Sequence, residues 1–289
     1  MYMEYRVLIV CCLIFLRTAA FSQKHEIIYL WPDKVPGEEK EKSEPRVSGP
    51  VDDNVIRYDE VTNPLIEVFT PEPSKSNGAG VVICPGGAYR ILAYNKEGTE
   101  IAEWLNNLGY TAFVLQYRVP NKREGALQDA QRALRIVRKN SDKWKINPDR
   151  IGIMGFSAGG SLSARCATSF NRRTYPPVDN ADSLSCRPAF VLLIYPAYLD
   201  EGPGNSLTPE LTLSKNTPPM FIFQTADDQY GNSAIVMAGA LRNAKIPVEL
   251  HILPYGGHGY GLRPGKDAAE TWPVLAEKWL LKTLNKTTN

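Results

Sequence analysis

The sequence is poor in the features that mark several protein classes. No apolar run approaches the roughly 20 residues that a membrane-spanning helix needs. The longest, Val7 to Leu16 (VLIVCCLIFL), is half that. Neither sign of charge dominates: 33 Lys and Arg stand against 31 Asp and Glu, a net +2, and no basic block carries interleaved aromatics. A protein that tracks nucleic-acid phosphates needs such a block, so nucleic acid is not an expected partner. There is no internal repeat and no low-complexity tract, which sets aside solenoids and disordered chains. The five cysteines form no C-x-x-C and no histidine stands at ligand spacing from them, so no zinc site is written in the sequence. Histidine is the scarcest of the reactive residues, with three: His25, His251 and His258. Chemistry that needs an imidazole base therefore has few places to occur.

What is present begins with an address. Arg6 precedes the ten-residue apolar run and small residues follow it in TAAFS, the pattern of a secretory signal peptide over residues 1–22, cut after Ala20 or Ser22. The expected location is secreted or periplasmic, with no membrane association after cleavage. Three cysteines then remain. Cys84 reads as a small buried hydrophobe, and Cys166 and Cys186 could bridge in an oxidising compartment. Residues 23–50, rich in Pro, Glu and Lys, read as an extended surface segment.

Residues 54–61 and 65–70 alternate like half-buried strands. From residue 80 the rhythm changes. GVVIC (80–84), YTAFVLQYR (110–118), IGIM (151–154), FVLLIY (190–195), MFIFQ (220–224) and VELHIL (248–253) are short apolar runs, mostly of the kind buried on both faces. Helical patterns at 97–109, 125–140, 158–168, 232–244 and 268–284 separate them. Such alternation predicts an α/β fold, a mostly parallel sheet with helices on both faces.

One motif stands out: Gly155-Phe156-Ser157-Ala158-Gly159, a G-x-S-x-G. Alone it recurs by chance in roughly one chain in ten of this length. Its context is more telling. Ser157 follows a buried strand and opens a helix, as a nucleophile elbow requires, and glycines at 155, 159 and 160 let strand and helix nearly touch. A serine hydroxyl needs a base. His25 lies far from any element and His251 inside a strand pattern, whereas His258 lies in the glycine-rich loop PYGGHGYGL after the last strand. The imidazole needs an orienting carboxylate. Asp227 and Asp228 sit just past the MFIFQ strand, between serine and histidine in chain order. Position alone leaves both Asp228 and Asp227 open. Asp129, Asp149, Asp179 and Asp182 have plainer explanations in helix, turn and loop. Two N–H donors for an oxyanion are expected from Ala158 and from Gly87 in the loop PGGAY, with Gly86 and Tyr89 contacting substrate at the pocket rim.

The segments VVICPGGAY, LQDAQRALRIVR, NPDRIGIMGFSAGG, RPAFVLLIYP, TADD and GGHGYGL, with LWPDKVPGE before them, together resemble compact bacterial α/β-hydrolase esterases of the acetylxylan-esterase type, similar in size to dienelactone hydrolase. The resemblance runs from about residue 27 to the C-terminal helix. It implies an α/β-hydrolase catalytic domain over 51–289 with little or no cap, and a Ser157–Asp228–His258 triad with Gly87 and Ala158 at the oxyanion. The implied activity is removal of O-acetyl groups from plant cell-wall carbohydrate, with neither metal nor organic cofactor. Two departures stand out: Pro85-Gly86-Gly87 replaces the histidine-glycine-glycine of many esterases, and Ala88 the usual third glycine. The short, polar segment from Pro196 to Pro219 suits a bulky polar substrate. A feruloyl or general short-chain esterase, a serine peptidase and a non-catalytic binding protein of the same fold remain open, and oligomeric state is not legible.

Overall fold

The apolar runs pair into one sheet because most of them are too hydrophobic to leave either face in water. In the computed structural model, which describes residues 25–50 and 53–286, eight strands form it: β1 (Glu26–Tyr29), β2 (Leu65–Phe69), β3 (Gly80–Cys84), β4 (Thr111–Gln116), β5 (Ile151–Phe156), β6 (Val191–Ile194), β7 (Met220–Thr225) and β8 (Val248–Leu253). The expected signal peptide, residues 1–22, lies outside the described residues. The spatial order is β1-β2-β4-β3-β5-β6-β7-β8. β1 and β2 pair antiparallel, as do β2 and β4, and every later pairing is parallel. The chain crosses over between β3 and β4 before it reaches β5, so β3 and β5 lie side by side and their C-terminal ends open onto one crevice.

Alternation along the strands divides the core in two. Val82, Phe113, Ile153, Leu193 and Ile222 face the layer built by α2 (Arg123–Lys139), α3 (Ala158–Thr168) and α4 (Gly231–Asn243). Val81, Val114, Met154, Leu192 and Phe221 face α1 (Glu100–Asn107) and α5 (Asp267–Lys286). Each of these strand side chains is fully buried, a contribution of about 1.5–3 kcal/mol apiece before chain entropy is charged against it. Among the described residues no helix is long and apolar enough to cross a membrane.

Two N-terminal expectations need correction. The segment expected at 23–50, described from residue 25, is not all surface: Glu26–Tyr29 is the edge strand β1, and Leu30, Trp31 and Val35 are buried. Trp31 Nε1 donates to Asp129 Oδ1 (2.8 Å), and the fully buried Asp129 also accepts from the Arg118 guanidinium (2.9 Å). That buried ion pair ties the segment to the sheet. Residues 54–61, by contrast, do not join the main sheet. Arg57–Asp59 pairs with Arg46–Ser48 and Leu92–Ala93 in a separate three-stranded sheet beside the crevice. Among the described residues the three cysteines, Cys84, Cys166 and Cys186, are buried free thiols. Cys166 and Cys186 form no bridge, and the Cys186 thiol donates to Phe170 O (3.4 Å).

Candidate active site

Ser157 owes its position to a turn that only small residues permit. It holds φ +51°, ψ −118°, a strained region for a residue with a side chain. A Cβ at Gly155 would stand 2.0 Å from Gly159 O, and one at Gly159 would stand 2.0 Å from Cys84 O. With those atoms absent, β5 turns straight into α3 and lifts the Ser157 side chain above the sheet edge. The turn is held by Ser157 N–H donating to Ile194 O (3.1 Å) and Ala197 N–H donating to Ser157 O (3.1 Å).

His258 reaches Ser157 from the loop after β8, across 101 residues of chain. Its Nε2 lies 2.7 Å from Ser157 Oγ and its Nδ1 lies 2.6 Å from Asp228 Oδ2. An ionised carboxylate can only accept, so Nδ1 carries the proton and Nε2 is left to accept from the serine hydroxyl. The Asp228 side chain is wholly buried, and its Oδ1 accepts from Tyr230 N–H (2.9 Å). Asp227 turns outward instead. Its two oxygens accept from Gly257 N–H (2.8 Å) and Gly256 N–H (3.2 Å), which fasten the histidine loop and hold this exposed carboxyl below its ordinary pKa. His25 stacks on Phe69 and His251 accepts its place on β8 beside Glu249, both away from the serine.

Above Ser157 the loop 85–89 bends back on itself. Gly87 has φ +134°, and a Cβ there would stand 2.1 Å from Ile91 O, so only glycine fits. Among the described residues no acceptor pairs with the amides of Gly87 or Ala88. Ala158, as the first residue of α3, has no intrahelical acceptor for its own N–H. These donors flank the serine at the positive end of a helix. Gly86 and Tyr89, expected to contact substrate, are not among the residues that line the cavity above Ser157. The Gly86 N–H is already spent on Glu97 Oε2 (2.8 Å), and its missing Cβ makes room for Ser157 Cβ, which would be 2.9 Å away. Ala88 and Tyr89 both have positive φ, and this turn swings the Tyr89 ring inward, against Tyr117 and Tyr198, where it is 2% exposed.

The crevice is an open cavity of about 600 Å³ with Ser157 and His258 at its floor. Tyr198 and Tyr230 form one side, with Tyr230 4.9 Å from the imidazole centre. Charged side chains also line the cavity: Asp53, Arg57 of the small sheet, Lys96 of the helical turn Asn95–Thr99, and Arg263 beyond His258. Arg57 pairs with Asp53, and Arg263 bonds Glu100 Oε1 (2.7 Å) and Asn54 O (2.7 Å). Sequence reasoning missed these charged residues, together with Tyr198 and Tyr230. For Tyr198 a signal existed: the run IYPAYLD leaves the end of β6 at the same sheet edge as the elbow.

The BD-FAE family model matches residues 66–188. An acetyl ester-xyloside bifunctional hydrolase from Caldicellulosiruptor lactoaceticus superposes with TM-score 0.71 at 31% identity, over 89% of this chain and 96% of that one. The chain belongs to the α/β-hydrolase family. The hydrolase is also 34% identical over 203 residues to an acetylxylan esterase of Xylanibacter ruminicola, covering 65% of this chain. It is 33% identical over 205 residues to endo-1,4-beta-xylanase B of Butyrivibrio fibrisolvens, covering 62%. It spans only 42% and 32% of the length of those two relatives.

Proposed function

We propose that this hydrolase is a serine carboxylesterase that removes O-acetyl groups from plant cell-wall polysaccharide or oligosaccharide. The observation that carries the chemistry is the chain of contacts from Asp228 through His258 to Ser157, 2.6 and 2.7 Å, beneath the unpaired amides of Gly87 and Ala158. Ser157 Oγ attacks the ester carbonyl as His258 Nε2 takes its proton. The negative charge that forms on the carbonyl oxygen falls between the two amides. Asp228 keeps the imidazole in the tautomer that can accept and steadies its positive charge. The sugar alcohol leaves with the proton from Nε2, and water, activated by the same nitrogen, releases acetate from the acyl-serine. No step calls for a metal or organic cofactor.

The substrate class is supported by the relatives' names, acetylxylan esterase and acetyl ester-xyloside hydrolase, and by the cavity. It is open to solvent, edged by Tyr198 and Tyr230 and by charged side chains, which suits a hydroxyl-rich polymer better than an acyl chain. Export through the expected signal peptide would bring the enzyme, secreted or periplasmic, to such glycans. The deciding experiment is acetate release from acetylated xylan set beside ferulate release from feruloylated arabinoxylan. Acetate release that Ser157→Ala abolishes is the expected result, and ferulate release in excess of acetate would reassign the substrate.

A further inference from the structure

Glu97 is a buried titratable group that the mechanism above leaves unused. It sits in a single turn of π-helix, Asn95–Thr99, just ahead of α1, and is 4% exposed. Its Oε2 accepts from Gly86 N–H (2.8 Å) and its Oε1 accepts from the Tyr195 hydroxyl (2.9 Å). The Tyr195 oxygen in turn accepts from Gly261 N–H (3.0 Å). Gly86 precedes the oxyanion amide of Gly87, and Gly261 lies three residues beyond His258. One carboxylate thus joins the loop that would hold the oxyanion to the loop that carries the base. Tyr195 contributes twice, since its ring also packs edge-on to the imidazole at 5.2 Å, and it holds a strained φ of +38° to do so.

We infer that Glu97, acting through Tyr195, is a positioning residue that sets the spacing between the oxyanion amides and His258. The inference rests on the esterase reading. The directions of the bonds explain why a carboxylate is needed. Both of its oxygens face donors, so both must accept. A glutamine has one oxygen only. If that oxygen faces Tyr195, its NH2 meets the Gly86 N–H, donor against donor. If it faces Gly86, the NH2 donates to the Tyr195 oxygen and the phenolic proton loses its acceptor. Either way one loop is released from the other. Burial raises the carboxyl pKa, a cost that the two donors offset only in part. A buried charge that is retained despite such a cost fits a role in geometry better than one in stability.

The test uses the full chain, with 4-nitrophenyl acetate and acetylated xylo-oligosaccharide as probes. Glu97→Gln and Tyr195→Phe should each lower kcat about a hundredfold, as expected for small misplacements of reacting groups, with KM within about threefold of wild type. The double variant should lose no more than the worse single one, because both changes open the same link. Rates are read well below each variant's own unfolding temperature. Should Glu97→Gln fail to fold, Tyr195→Phe, which keeps the ring, decides alone. The inference is overturned if kcat stays within twofold, if the loss is carried by KM, or if the two losses multiply. Wild-type protein that releases no acetate from either probe would instead sink the esterase reading, which separates the two failures.

Discussion

The sharpest perturbation exchanges one oxygen for an amide at two adjacent positions. Asp228→Asn keeps the shape of a wholly buried side chain that lies 2.6 Å from His258 Nδ1. The new amide adapts by donating to Nδ1, which drives the ring proton to Nε2. The nitrogen 2.7 Å from Ser157 Oγ then carries a hydrogen and cannot take another. The expected loss in kcat is about 10⁴-fold, the size associated with holding the histidine in the wrong tautomer. That is about 5.5 kcal/mol of activation free energy. Asp227→Asn should behave quite differently. The residue is exposed, its remaining oxygen can still accept from Gly257 N–H, and the cost should be about twofold. Initial rates with 4-nitrophenyl acetate, with active-site concentration fixed by serine titration, measure both. If Asp227→Asn proved the more damaging, or if Asp228→Asn lost less than tenfold, the assignment of the orienting acid would be refuted.

Two further outcomes bear on the scaffold. Gly159→Ala places a Cβ 2.0 Å from Cys84 O and 2.6 Å from Pro85 O, contacts that only backbone movement relieves. It should cost about 1–3 kcal/mol, seen as a lowered urea midpoint, together with a loss of kcat, because the elbow and the oxyanion loop are what must move. An unchanged midpoint would mean that the turn has slack the structure does not show. Asp179 has its pKa lowered to about 2 from 3.8, chiefly by its bond to Arg132. Its contribution is present above the unfolded value and fades as pH falls through the folded one. Because the side chain is 40% exposed and Asp182 also bonds Arg132, the stability gap between wild type and Asp179→Asn should be ~1 kcal/mol or less near neutrality after solvent screening, and should close as pH falls toward 2. A gap that persisted at the lowest pH would assign the effect to packing instead.

The parts of the molecule that were legible in sequence are those where local chemistry leaves little choice. Runs such as GVVIC and MFIFQ have no polar face to offer water, so they become central strands. The glycines around Ser157 announce a turn because no other residue fits one so tight. His258 emerged by elimination, since the other two histidines sit in places that pattern alone explains. What stayed hidden depends on contacts between distant segments. Whether Asp227 or Asp228 turns inward is set by the path from β7 into α4, and both residues have the same composition and nearly the same neighbours. Glu97 looks like a helix-surface acid until Gly86 and Tyr195 are seen to converge on it from 11 and 98 positions away. β1 alternates exposed and half-buried residues over only four positions, too short a record to tell an edge strand from a loop. Tyr89 was misplaced because two successive residues with positive φ reverse the direction that its side chain would otherwise take.

The most direct measurement asks whether Ser157 itself carries the acyl group. Protein mixed with acetylated xylo-oligosaccharide, quenched in acid within the first turnovers and mapped by peptide mass should show one acetyl group, on the peptide that contains Ser157. The Ser157→Ala protein should show none, and its acetate release should fall to background. Steady turnover without any acyl-protein, or with the acetyl on another side chain, or surviving in Ser157→Ala, would contradict the account at its centre.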